Sequence, residues 1–251
     1  MSRMGRVVTG TLLALGASLG VMQVAEAVPT PVLAMKLSDS AAGAARLDAQ
    51  NGWVNAGGFN EGNPAAQLLV NNNLDYKASF VDAWAGILGV RVSMYLNGVE
   101  QKFVQFNAVG TTKVNFFTQA NVQSSSWNDV AGPGNFFSIA GDAGIDRHWF
   151  INNNYGGCGV DVGHMVVVDG RAGSCGWETG RTPAFGPNRG FLYSTGNTEL
   201  NWNPANNVGI ADVFAVFVIV DREPPPVPEP ATLALLGLGL AGLGMARRRK
   251  S

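Results

Sequence analysis

RVSMYLNGVEQKFVQF, residues 91–106, is the stretch on which the reading of the fold turns. Two runs rich in β-branched and aromatic residues flank Asn97-Gly98, a pair that accepts the positive φ required at both central positions of a type I′ turn. The stretch predicts a β-hairpin. Outward from it, further strand-like runs are VLAMKLS from Val32, TTKVNFFTQ from Thr111, NFFSIA from Asn135, RHWFIN from Arg147, HMVVVD from His164, GFLYS from Gly190 and VFAVFVIV from Val213. The last is apolar throughout, as a central strand covered on both faces should be. Short helices are expected within AAGAARLDAQ, residues 41–50, and NPAAQLLVNNN, residues 63–73. About eight to ten short strands with Gly/Asn turns predict a mainly β body, a single sandwich of jelly-roll-like form. No fixed-period repeat is present, which argues against a solenoid or propeller.

The two ends read differently. MSRMGRVVTGTLLALGASLGVMQVAEA, residues 1–27, has basic Arg3 and Arg6, an apolar middle and a small-x-small close at Ala25, Glu26, Ala27. This is the build of a secretory signal, with cleavage by signal peptidase expected after Ala27. At the other end DREPPPVPEP, residues 221–230, should be an extended stalk, because proline fixes φ and removes the amide donor. Residues 231–246 carry no charge, and as a helix they would span about 24 Å, enough for a slightly thinned bilayer. Arg247, Arg248, Arg249 and Lys250 follow and should stay cytoplasmic, which places residues 28–220, the body, on the outer side.

Six of the seventeen basic residues but only two of the eighteen acidic ones lie in residues 1–27 and 228–251, so residues 28–227 are acidic by five. That argues against nucleic acid as a partner. Cys158 and Cys175, the two cysteines of the chain, fall in the exported body and are expected to form a disulfide.

In this order, behind a signal peptide, VPEP at Val227, Pro228, Glu229 and Pro230, the apolar run and RRRK at 247–250 resemble the PEP-CTERM sorting signal of exported bacterial proteins. The same signature is also labelled an ice-binding protein C-terminal region, which describes the tail and not the body. The resemblance implies recognition by an exosortase, a membrane cysteine protease or transpeptidase of Gram-negative bacteria that make exopolysaccharide. On that reading an inner-membrane-anchored precursor is processed near Pro228 to Pro230. The body then passes to the periplasm, cell surface or extracellular matrix.

Chemistry within the body is sparsely signalled. GASLG, residues 16–20, and GLGLAG, residues 237–242, match hydrolase and dinucleotide patterns but fall in the signal and the apolar run, without the strand-turn-helix context that either needs. The body holds no H-E-x-x-H, phosphate loop or EF-hand loop, and no catalytic activity or firm cofactor is expected. Asp142, Asp146, Asn152, Asn154 and Asp161 are oxygen donors that could begin a calcium site, although Asn and Asp also favour turns. Trp127, Trp177 and Trp202 lie among polar turn residues and are the candidates for stacking on exopolysaccharide, against the alternative of core packing. The leading expectation is a non-enzymatic surface or matrix protein. A carbohydrate-binding or adhesive module, and a secreted hydrolase using His148 or His164, are the alternatives.

Overall fold

The structure is a computed structural model that describes residues 30–169, 175–179, 189–203 and 207–220. These belong to one unit, Val28–Glu223. Residues 1–27, the stalk, the apolar run and the basic end lie outside the described residues, as do the processing and cleavage positions within them.

Asn97 and Gly98 take φ of 53° and 78°, and Leu96 pairs with Val99 across them, as a type I′ hairpin requires. The hairpin strands are β3 (Ile87–Leu96) and β4 (Val99–Asn107). Around them a six-stranded antiparallel sheet runs in the order β2-β1-β12-β3-β4-β5. Its other members are β1 (Thr30–Ser38), β2 (Tyr76–Lys77), β5 (Val122–Ser125) and β12 (Val213–Val220). The apolar run at 213–220 is indeed interior to the sheet, hydrogen-bonded to β1 on one side and β3 on the other.

The second sheet has the order β11-β9-β8-β7-β6, with β10 also on β8. Its strands are β6 (Phe136–Ser138), β7 (Arg147–Asn154), β8 (Val162–Val168), β9 (Gly190–Ser194), β10 (Leu200–Asn201) and β11 (Val208–Ala211). Alternate side chains of both sheets meet in one apolar core. Val90, Val92, Val104, Phe106, Phe214 and Val216 of the first sheet pack with Trp149, Ile151, Met165, Val167, Phe191 and Tyr193 of the second.

The body is therefore mainly β and two-layered, as expected, but its path is simpler than a jelly-roll-like one. Strands β1 to β5 stay in the first sheet, β6 to β11 in the second, and β12 alone returns. Thr111–Gln119 forms no strand, because turns at Thr112–Asn115 and Phe116–Thr118 take its backbone groups and leave Phe116 and Phe117 to fill the core. The predicted helices shrink to single turns at Gly43–Ala45 and Pro64–Gln67, with a four-residue α1 at Asn51–Val54.

Candidate functional site

The outer face of the second sheet carries a small core of its own, in which Phe150, Val166, Val168 and Leu192 lie beneath Trp177, Trp202 and Cys175. Arg147, the first residue of β7, organises it. Its guanidinium donates to Glu178 and to Asp161 Oδ2 (3.2 Å), touches Cys175 Sγ (3.1 Å) and lies 4.5 Å from the Trp177 ring centroid. Burial works against the Arg147 charge, yet Glu178 and Asp161 raise its pKa above the ordinary arginine value. The Trp177 indole N–H also donates to Asp161 (3.1 Å), and Trp202 stacks on Trp177 with centroids 5.9 Å apart. Cys158 and Cys175 are disulfide-bonded and close this layer over β8.

A second cluster lies where the strand beside β8 is interrupted. Tyr193 of β9 pairs with Met165, and Leu200 of β10 pairs with Gly163, so the chain between them leaves the ladder opposite His164. Gly163 fits there because a Cβ would come within 2.6 Å of the Ile151 carbonyl oxygen. His164 is fully buried, and its Nε2 meets Asp129 Oδ1 at 2.7 Å. The other Asp129 oxygen accepts the Glu199 backbone N–H (3.0 Å). Desolvation would raise the Asp129 pKa, but the Glu199 N–H and His164 outweigh it and hold the carboxyl below its usual value. Donor atoms of Asp129, His164 and Glu199 all lie within 4.8 Å of one another. Trp127 packs edge-on to His164, and its indole N–H is fixed on the Ser194 carbonyl (3.0 Å).

The residues singled out in the sequence fall into different roles. Trp127, Trp177 and Trp202 are at most 3% exposed, so none offers a ring face to a sugar, and core packing accounts for all three. Of the calcium candidates, Asp161 is buried against Arg147 and the Trp177 indole, Asp142 accepts from Gly144 N–H, and Asn154 accepts from Gly156 N–H. Asp146 holds a left-handed turn, and Asn152 is buried in β7. Asp142, Asp146 and Asp161 are not brought together; among the described residues the gathered donors are those around His164. His148 is buried with Nδ1 on the Ala140 carbonyl (2.8 Å). His164 does reach a carboxylate, but the Ser194 hydroxyl at the end of β9 donates to the Thr198 carbonyl.

Asp129 and Glu199 were not visible as site residues in the sequence. They sit seventy positions apart in turn-rich segments, SSSWND and TGNTEL, and only the strand break joins them.

Comparison with known proteins returns one finding, at the C-terminal end. Residues 226–250 match the PEP-CTERM protein-sorting motif. No curated protein and no solved structure matches the chain. The chain thus carries an exosortase sorting signal, the mark of an exported protein held transiently in the membrane before processing.

Proposed function

We propose that this chain is a cell-surface or extracellular-matrix protein of a Gram-negative bacterium, with no catalytic activity of its own, whose β body is the cargo of an exosortase. The observation that carries the reading is the sorting motif at 226–250. The expected secretory signal at 1–27 agrees with it, since a tail processed at the outer side of a membrane requires an exported body. The composition of the body agrees as well: its buried charges at Arg147, Asp161 and Glu178 serve one another, and a disulfide suits an oxidising compartment.

Intact mass spectrometry of the protein from native cells, membrane and surface fractions kept apart, tests the proposal. A surface form starting at Val28 and ending near Pro228 to Pro230 is expected. A chain that keeps 231–251 and occurs only in the membrane would replace it with a C-terminally anchored protein.

An adhesive, polysaccharide-binding role is the second reading, and one observation favours it after the burial of the three tryptophans. Phe136 and Tyr155 are 44% and 50% exposed, and their ring centroids lie 5.4 Å apart at the β6 edge of the second sheet. Such rings can stack on pyranose faces. Phe136→Ser with Tyr155→Ser should abolish retention on the native exopolysaccharide; unchanged retention would remove this reading.

A further inference from the structure

We propose that Asp129, His164 and Glu199 form a binding site for a divalent transition-metal ion, with Zn²⁺ as the representative. Three independent segments deliver the donors: the turn before β6, strand β8, and the excursion between β9 and β10. Their mutual spacing, at most 4.8 Å, admits an ion about 2.0–2.2 Å from each donor once the 2.7 Å contact between His164 and Asp129 opens slightly and Glu199 swings in.

The charges call for a cation. Two carboxylates converge here, and neither forms an ion pair with a lysine or arginine among the described residues. Lys102 reaches the same excursion but donates to the Gly196 carbonyl (2.7 Å). The Glu199 side chain has no hydrogen bond or ion pair among the described residues, while Asp129 is fixed by its bond to the Glu199 N–H. Two donors are therefore held close to their ligating positions and the third is free to close. The imidazole is preset more firmly still, being fully buried, packed against Trp127 and directed through Nε2 at Asp129.

The nitrogen donor sets the ion class. Calcium takes oxygen ligands, whereas one imidazole with two carboxylates suits Zn²⁺, Mn²⁺ or Co²⁺. Affinity is set by the far side of the ring. In the Nε2–H tautomer the ring donates to Asp129, and Nδ1 is buried without a partner among the described residues. Coordination through Nε2 shifts that ring proton to Nδ1, where the buried N–H finds no acceptor among the described residues. A ligating histidine normally donates this proton to a partner, and lacking one weakens binding about ten- to hundredfold. The site should bind more weakly than a structural zinc site whose histidines all have a second partner.

The test uses the full chain in detergent micelles, titrated with Zn²⁺ and, for its absorption bands, Co²⁺. One ion per chain is expected. Loss of a direct donor must cost at least what loss of a supporting partner does, so Glu199→Gln should weaken binding about tenfold or more and Asp129→Asn further. Asp142→Asn, at an exposed turn, should change nothing. His164 is buried and its replacement could unfold the body, so the two carboxylate variants carry the test, with their metal-free melting checked against the parent. A tenfold excess of Ca²⁺ should not displace the bound ion. No saturable binding up to about 1 mM, affinity unchanged in both carboxylate variants, or displacement by Ca²⁺ would each overturn the proposal.

Discussion

Arg147 and Arg189 are both buried guanidiniums held by two carboxylates, yet they join different things. The partners of Arg147, Asp161 and Glu178, lie 14 and 31 residues away on one face of one sheet, and the Cys158–Cys175 bond closes the same stretch. Arg189, just before β9, binds Asp75 (2.9 Å), Asp169 (3.1 Å) and the Leu47 carbonyl (2.5 Å). Asp75 in turn accepts the N–H groups of Ser38 and Leu47, and Asp169 those of Ala49 and the Arg46 side chain. Arg189 therefore ties the β1–β2 connection of the first sheet to the β8 and β9 ends of the second. The same ion-pair chemistry is backed by a covalent bond in one region and stands without one in the other. Redundancy, more than the number of contacts, should decide what each is worth.

The largest effect should come from Arg189→Met, which leaves Asp75 buried without its cation and Asp169 with Arg46 alone, and should cost about 3–5 kcal/mol in urea unfolding. A cost no greater than that of Arg147→Met would break the comparison. Next, replacing Cys158 and Cys175 together by alanine should cost about 3 kcal/mol for a loop of this length, read from unfolding midpoints. The sharper form combines the two: Arg147→Met should cost more in the disulfide-free protein than in the oxidised one, because each then loses its substitute. Additive costs would show that the bond and the ion pairs act separately.

The smallest effect concerns Asp39, whose carboxyl is pushed up to about 6, first by burial and then by Asp212, while Arg189 among others pulls it down. The folded state binds the extra proton between the ordinary carboxylate range and about pH 6, so stability falls as pH rises through that window. Asp39→Asn should therefore melt above the parent at pH 7, with the advantage gone below about pH 4. In the Arg189→Met background the advantage should grow, since one stabilising cation has been removed. An equal advantage in both backgrounds would uncouple Asp39 from the inter-sheet joint.

Local signals carried much of this fold. Asn97-Gly98 announced the hairpin because the turn demands positive φ, and 213–220 announced an interior strand because both its faces are covered. The disulfide was legible from cysteine count and compartment. What stayed hidden depended on distant partners. Strands β2 and β10 are two residues long and exist through distant partners, β2 through β1 and a bridge to Phe59, and β10 through β8. Trp127, Trp177 and Trp202 were the candidates for a sugar face because their neighbours are polar, but those polar neighbours shape turns while the rings point inward. The His164 cluster needs a strand break that no short window of sequence reveals.

The pairing of Thr30 with Val220 has a kinetic consequence. The first strand of the body finds its full-length partner only in the last, and that last strand also separates β1 from β3. During synthesis and export β3 and β4 can zip at once, but the middle of their sheet stays open until residues 213–220 emerge, immediately ahead of the stalk. Long-range closure of this kind is slow compared with hairpin formation. The sheet is thus completed by the segment nearest the sorting motif, so the body reaches its folded state only when the chain has run out almost to that motif.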